Sequence, residues 1–258
     1  MFHIKSIFSK VSISFFIYII IFLSLLSGLF WNVIIFLMII VIHEAGHVII
    51  SSLFNWRIKK IDINICGGYI TYDDYIDKPF HEELLVAFSG IFFQSVFYIL
   101  CFFVYRLRII DSNTIIMIKK YHEMIMLFNL LPIIPLDGSK ILNVILNYFM
   151  PYKKTLLVSA IISFIVLLSF FYFIRINLSV IIVMAFIIKK TYSFIFNIPF
   201  LFNRFLLEIY LRKKHYKNNN YIKKENVLKF KRQCNNYILL NNKYIIDYEY
   251  LKTRYFIW

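Results

Sequence analysis

An apolar stretch covers residues 11–54, where three ionisable residues interrupt a largely hydrophobic run. The stretch is too long for one membrane-spanning helix, which needs about 20 apolar residues. We therefore predict two spans, at about 11–28 and 31–54, with the break at Ser27 and Gly28. Because the apolar run continues into the second span, we expect the first span to be retained and not cleaved as a signal peptide.

Later apolar runs predict four more spans, so the predicted fold class is an all-α polytopic membrane protein with six transmembrane helices. An even number of spans places both termini on one side of the membrane. Most Lys and Arg residues of the connecting segments then fall on that side, which predicts cytoplasmic N- and C-termini. The later spans are expected at about 84–105, from 114 into 129–139, at 156–173 and at 178–188.

Residues 61–72 follow a different period from the spans on either side. Residues 61–65 alternate apolar and polar side chains, which predicts a strand, and residues 69–72 form a second β-rich run. Gly67 and Gly68 predict the turn of a small membrane-associated β-hairpin. One interpretation is an edge strand that pairs with an extended substrate, which makes both glycines candidate substrate-binding residues. The alternative is a plain connecting hairpin.

The composition changes this picture little. The 258 residues are 60% hydrophobic, a larger share than soluble globular proteins have, which agrees with a polytopic membrane protein. The net charge of +15 includes a basic C-terminal region that suits anionic lipid head groups. No basic motif is placed on a recognisable nucleic-acid module, so the lipid bilayer is an expected partner and nucleic acid is not.

The C-terminal region differs from the spans. Residues 200–217 place apolar side chains on one helical stripe, which predicts an amphipathic helix on the inner membrane surface. Residues 221–258 alternate short apolar and basic runs and predict a small α+β piece, which is too short to hold a large core by itself. We therefore predict two domains, a transmembrane domain at 1–199 and a short cytosolic tail at 200–258.

The chemistry of the second span lies in the sequence HEAGH at residues 43–47. On a helix, His43 and His47 lie on one face, so both imidazoles can bind one zinc ion. Glu44 can act as a general base on a zinc-bound water. A carboxylate and two imidazoles are costly inside a hydrocarbon span, so they require a functional reason. The pattern predicts an intramembrane zinc protease with one zinc ion per chain.

A third zinc ligand is expected, because catalytic zinc sites usually have three protein ligands and one open position. The best candidate is Asp137, in the sequence NLLPIIPLDGS at residues 129–139. Pro132 and Pro135 break a helix there, which is tolerated at membrane depth only where the backbone lines a protein cavity. The alternative role of Asp137 is a helix N-cap without a metal. We also predict that Pro135 contributes to substrate binding.

HEAGH in the second span and NLLPIIPLDG in a later one resemble the site-2 protease family of intramembrane zinc metalloproteases, over roughly residues 30–210. The two motifs are specific when they occur together. The resemblance implies a six-helix core with zinc on His43, His47 and Asp137. It also implies that Glu44 is the general base of peptide-bond hydrolysis.

The same resemblance implies a catalytic role for Asn129. In the family this asparagine is thought to help hold the oxyanion, since a side-chain amide can donate to charge that grows on the carbonyl oxygen. The alternative is a buried amide that bonds the broken backbone near Pro132.

The match is closer to the sporulation branch of the family. This branch implies a membrane-associated regulatory protein as substrate, a sigma-factor precursor, with inhibitory membrane proteins as further partners; a homo-oligomer is left open. One departure is at residues 89–94, where the family often has Ala-Gly-Pro and this chain has no proline. Another is the tail. The branch usually carries a nucleotide-sensing CBS domain, and residues 221–258 are at most a fragment of one, so regulation by ATP is not expected.

Rival functions stay open from the sequence alone. A zinc transporter would distribute its ligands along a pathway and would not need a general base beside two histidines. A CAAX-type prenyl protease also has HExxH in a membrane, but it takes its third ligand as a glutamate from a later helix. A catalytically dead scaffold would not need the complete set of catalytic residue types that this chain has.

Overall fold

The structure is a computed structural model that describes residues 10–64, 67–72, 76–173, 178–240 and 242–254. Within these ranges the chain is mostly helical and its strands form two small sheets. The strands are β1 (Val11–Ile13), β2 (Ile58–Asn64), β3 (Gly67–Tyr72), β4 (Asn218–Ile222), β5 (Cys234–Leu240) and β6 (Lys243–Ile246). The helices are α1 (Phe15–Leu26), α2 (Phe30–Leu53), α3 (Phe80–Arg106), α4 (Ser112–Leu130), α5 (Asp137–Phe149), α6 (Tyr152–Phe173), α7 (Leu178–Arg212) and α8 (Asp247–Arg254), with a 3₁₀ turn at Val227–Lys229.

The chain divides into two compact units. The first consists of Met1–Asp74 and Leu84–Leu131, and the second of Tyr75–Glu83 and Pro132–Trp258. In the first unit, Ile35, Ile39 and Ile40 of α2 pack with isoleucines of α4 in an apolar core. This follows from the sequence, because the three residues share one helical face.

The predicted hairpin is confirmed, but its turn lies elsewhere. β2 and β3 pair antiparallel, with Ile63 opposite Gly68 and Asn64 opposite Gly67. Both glycines therefore begin β3 and do not form the turn. Residues 65–66, which connect the two strands, lie outside the described residues.

The first predicted span, at 11–28, is shorter than expected. Val11–Ile13 pairs in parallel with β2, which removes these residues from the helix. Ser14 is extended, and α1 then continues for 12 residues only. A straight helix needs about 20 residues to cross the hydrocarbon core, so α1 alone is too short.

Four helices of the described residues are long and apolar enough to cross a membrane, and they make this a membrane protein. The second, third and fifth predicted spans are among them. Helix α4, the fourth predicted span, carries Lys119, Lys120 and Glu123 in its middle and is not. Six spans therefore stay a prediction. The four segments are Phe30–Leu53, Phe80–Arg106, Tyr152–Phe170 and Val180–Arg212.

The sixth predicted span and residues 200–212 of the predicted amphipathic helix form one continuous helix, α7, which contains Pro199. Residues 213–217 lie beyond its end. The predicted domain boundary at 199/200 falls inside this helix. The apolar stripe of Phe202, Phe205 and Leu206 is buried in the core of the second unit, where it packs with the tail. The prediction that this stripe lies on the membrane surface was wrong, because the tail covers it.

The tail folds around its own three-stranded sheet, in the order β4-β5-β6. β4 and β5 are parallel, and β5 and β6 are antiparallel. Ile222, Phe230 and Ile238 of the tail share their core with the end of α7. Residues 218–254 thus share their core with the end of α7, as expected of a segment that is too short to hold a large core by itself.

Candidate active site

Helix α2 presents His43 and His47 one turn apart on the same face. Both side chains are buried, with 2% and 3% of their surface exposed. Their ring centroids are 4.8 Å apart and the two Nε2 atoms are separated by 3.2 Å. The two imidazoles thus direct the same ring nitrogen toward a common point.

Groups on α3 hold the opposite edges of both rings. His43 Nδ1 lies 3.0 Å from Oε1 of Gln94, and His47 Nδ1 lies 2.7 Å from the carbonyl oxygen of Val86. The hydroxyl oxygen of Ser89 lies 3.2 Å from the same nitrogen of His47. These oxygens accept hydrogen bonds, so each Nδ1 carries the proton and each Nε2 keeps its lone pair. Two lone pairs that face one another favour a cation between them, and imidazole nitrogen suits zinc.

Two glycines allow α2 and α3 to approach closely at this point. A Cβ at Gly46 would lie 2.7 Å from the carbonyl oxygen of Ser89. A Cβ at Gly90 would lie 2.5 Å from His47 Nε2 and 2.6 Å from His43 Nε2. Real Cβ atoms do not come this close, so a larger residue at either position would separate the helices or displace the rings.

The carboxylate of Glu44 lies against the hairpin. The backbone N–H of Gly68 donates to Oε1 of Glu44 at 3.2 Å, and Glu44 is 9% exposed. A Cβ at Gly68 would fall 2.6 Å from the same oxygen. Because Gly68 has no side chain, the carboxylate of Glu44 can occupy this position without a steric clash. The predicted role of this glycine in substrate binding stays a prediction, as does that of Gly67.

Asp137 begins α5 in the second unit and is 4% exposed. The N-cap residue is Leu136, and Asp137 is the first residue of the helix, so Asp137 does not have the alternative role of N-cap. Oδ1 of Asp137 instead accepts from Nζ of Lys140, one turn later, at 2.7 Å. The sequence analysis missed this ion pair, although the i,i+3 spacing of opposite charges on a helix is its usual signal.

The helix break before α5 is present, and side chains of the second unit satisfy its backbone. The hydroxyl of Ser163 accepts from the N–H of Ile134 at 3.1 Å and donates to the carbonyl of Pro132 at 3.2 Å. Thr191 donates to the carbonyl of Ile134 at 3.1 Å. Half-buried Pro135 lies in this same segment, and its predicted contact with substrate stays a prediction.

Asn129 lies in the last turn of α4 and is half-buried. Its Nδ2 donates to the carbonyl of Ile125 in the same helix, at 3.1 Å. This hydrogen bond differs from the alternative role predicted for Asn129, which was a hydrogen bond to the broken backbone near Pro132. The role of Asn129 at an oxyanion stays a prediction.

The sequence analysis did not identify Gln94 and Ser89 as site residues, although both contact the histidine pair. Residues 89–94 were mentioned there only because they lack a proline that is common in the family. The sequence does contain one indication of their role: Gln94 is a polar residue within a long apolar run, and an amide at membrane depth needs a hydrogen-bond partner. Spacing alone could not identify that partner, because Gln94 and His43 are 51 positions apart.

Comparison with known proteins bears on this geometry. Residues 31–124 match peptidase family M50. The chain is 32% identical to stage IV sporulation protein FB from Bacillus subtilis over 149 residues, which cover 56% of this chain and 50% of that protein. The predicted resemblance to the site-2 proteases is confirmed.

A second relative is a zinc metalloprotease from Methanocaldococcus jannaschii, which is 28% identical over 151 residues, or 56% of this chain and 44% of that protein. The chain thus spans about half the length of the curated relatives that it matches. A solved structure, the site-2 protease from Methanocaldococcus jannaschii, aligns with a TM-score of 0.57 at 24% identity, over 75% of this chain and 93% of that one. This alignment shows a shared fold.

Proposed function

We propose that this chain is an intramembrane zinc metalloprotease that hydrolyses a peptide bond of a membrane-associated protein. The observation that carries the proposal is the pair of buried imidazoles, whose Nε2 atoms are 3.2 Å apart next to Glu44 in an apolar helix. The two imidazoles can bind a zinc ion, and the carboxylate of Glu44 can act as the general base of hydrolysis.

The proposed zinc ligands are His43, His47 and Asp137. Two imidazoles and one carboxylate are a usual ligand set of catalytic zinc, with a fourth position for water. The low exposure of all three side chains supports the assignment. When bound there, zinc supplies the Lewis acidity that makes a water molecule nucleophilic near neutral pH.

Other residues of the chain are proposed to transfer the proton, stabilise the oxyanion and bind the substrate. Glu44 takes a proton from the attacking water and later returns it to the leaving amide nitrogen. Asn129 donates to the carbonyl oxygen as its charge grows. Gly67 and Gly68 belong to β3, an edge strand of its sheet among the described residues, and an extended substrate can pair with such a strand. Pro135 is proposed to line the substrate path.

The proposed substrate is a sigma-factor precursor of sporulation, and inhibitory membrane proteins are proposed partners. Similarity to stage IV sporulation protein FB supports this assignment. Helices α1 and α4 are proposed to complete six membrane segments, with both termini cytoplasmic. The tail is proposed to be the cytosolic domain, and a homo-oligomer is compatible with these assignments.

The test is co-expression of the full chain with membrane-tethered candidate substrates, followed by detection of cleavage products. Glu44→Gln should lower the cleavage rate by about 10²- to 10⁴-fold, the usual contribution of a general base. Glu123→Gln is the matched control, because Glu123 is an exposed acid of another helix and should leave cleavage unchanged. Equal cleavage by wild type and Glu44→Gln would exclude this mechanism.

Zinc content separates the proposal from its alternative, a transporter or a scaffold. The wild type and Glu44→Gln should each hold one zinc ion per chain, whereas Asp137→Asn should lose zinc on dialysis. Glu123→Gln, at an exposed acid of another helix, is the control and should keep its zinc. Zinc flux into proteoliposomes without any peptide cleavage would favour the transporter.

A further inference from the structure

Gln94 is a neutral amide deep inside a membrane helix. It lies in the middle of α3 and its side chain is fully buried, with 0% exposure. An amide that is buried without hydrogen bonds costs several kcal/mol, and no water is available in a bilayer core to offset that cost. The hydrogen-bond partners of Gln94 therefore indicate why a glutamine occupies this buried position.

The two ends of the amide face different groups. Oε1 lies 3.0 Å from Nδ1 of His43, and Nε2 lies 3.5 Å from the carbonyl oxygen of His122 on α4. A flipped amide would place its NH₂ group against the ring and its oxygen against another carbonyl oxygen. The carbonyl of His122 thus sets the orientation of the amide, and Gln94 presents an acceptor to His43.

An acceptor at Nδ1 determines which nitrogen of His43 is available to a metal. The proton stays on Nδ1, so Nε2 keeps its lone pair and points at Nε2 of His47. Gly90 restricts the rings from a third side, because its backbone lies next to both Nε2 atoms. Gln94 and Gly90 together therefore restrict the orientation of the His43 ring.

The two histidines differ in what holds them. His47 Nδ1 is 2.7 Å from a main-chain carbonyl, that of Val86, which no substitution removes. His43 Nδ1 is 3.0 Å from a side-chain oxygen, that of Gln94. We propose that Gln94 is a positioning residue of the metal centre, which orients His43 for zinc through a hydrogen bond to Nδ1. This inference rests on the proposed zinc site.

The experiment measures zinc affinity of the purified full chain by chelator competition, together with the visible absorption spectrum of the cobalt-substituted protein. Gln94→Leu keeps a similar volume and removes the acceptor. Affinity should fall about 10- to 100-fold, the usual effect of losing such a partner, and the cobalt bands should shift. Gln94→Asn, whose shorter side chain withdraws the oxygen, should show a loss in the same direction.

Gln94→Glu tests the mechanism, because a carboxylate still accepts from Nδ1. It should hold zinc within about threefold of the wild type or more tightly, since a carboxylate raises the basicity of the ligand. Ser95→Ala is the control for a polar substitution on α3, because Ser95 donates to the backbone of its own helix. It should leave zinc affinity and the cobalt spectrum unchanged.

The outcomes are distinct. Wild-type affinity in both Gln94→Leu and Gln94→Asn overturns the inference and leaves the proposed protease intact. A loss in Gln94→Glu as large as in Gln94→Leu also overturns it, since an acceptor for Nδ1 of His43 would then not preserve zinc binding. A wild type that binds no zinc overturns the proposed function and this inference together.

Discussion

Among the described residues, two buried clusters that contain ionisable side chains are built in opposite ways. In the first unit, neutral groups contact His43, His47 and Glu44: the Gln94 amide oxygen and the Val86 carbonyl accept from the two histidines, and a backbone N–H donates to Glu44. In the second unit, the buried side chain of Arg232 lies among carboxylates. The first cluster favours a cation from outside, and the second contains its own.

Arg232, in the C-terminal segment, binds residues 76–78, which precede α3. It donates to both oxygens of Glu83 and to the carbonyls of Ile76 and Lys78, and its Nε is 3.5 Å from Asp77. Burial by itself lowers the pKa of Arg232, but the neighbouring carboxylates outweigh burial, so the pKa is raised above its ordinary value. A guanidinium held in this way has a structural role.

The difference teaches how to recognise a functional cluster. Buried charges that balance one another need no external ion, and removing one of them is costly, whereas acceptors that converge on one point indicate a cation-binding site. His43 and His47 meet the second description through Nε2, with the carboxylate of Glu44 in the next position of the same helix. The comparison predicts that substitutions in one cluster change stability and substitutions in the other change zinc binding or hydrolysis.

The largest effect on stability is expected for Arg232→Met. Removing the guanidinium leaves buried Asp77 and half-buried Glu83 without it, which costs about 3–5 kcal/mol of unfolding free energy. The measurement is thermal unfolding of the purified chain in detergent, with zinc content as the second readout. Unfolding should occur at a markedly lower temperature, while the chain that remains folded should still bind zinc.

Arg254→Met is the matched control for this substitution. Arg254 pairs with Glu225 at 3.5 Å, but both side chains are exposed, so the pair contributes little. Its unfolding temperature should stay close to that of the wild type. If both substitutions had the same effect, burial would not be what separates the two ion pairs.

The next effect is expected for Gly68→Ala, which tests the first cluster without removing a ligand. The added methyl group would lie 2.6 Å from Oε1 of Glu44, so the flexible carboxylate must move. Misplacing a general base by about 1 Å can cost up to 100-fold in rate, and we expect a 10- to 100-fold loss. Zinc content should not change. Tyr69→Ala, an exposed neighbour on β3, is the control and should have a smaller effect.

Much of this arrangement could be predicted from the sequence, because periodicity determines neighbours along a helix. The spacing of HEAGH predicts that His43 and His47 share a face, and the structure has their Nε2 atoms 3.2 Å apart. The apolar run around them predicts the long helix α2. The prolines at 132 and 135 likewise predict the break that precedes α5.

What could not be predicted depends on contacts between distant segments. The strand at Val11–Ile13 pairs with β2, although hydropathy assigns these residues to a span. Similarly, the stripe at the end of α7 suits a membrane surface as well as a core, and only the folded tail decides between them. Gln94 is polar in any reading of the sequence, but its partner on α2 follows only from how α2 and α3 cross.

The smallest effect is expected for Ser89→Ala, which sharpens the account of how His47 is held. The hydroxyl oxygen is 3.2 Å from Nδ1, whereas the Val86 carbonyl is 2.7 Å away, so the main chain should dominate. The hydroxyl also donates to that same carbonyl, at 2.7 Å. Losing it should weaken zinc binding by about two- to fivefold, the equivalent of one modest hydrogen bond, in the same chelator competition. A loss as large as that of Gln94→Leu would mean that a side chain orients each histidine, and the contrast between His43 and His47 would then disappear.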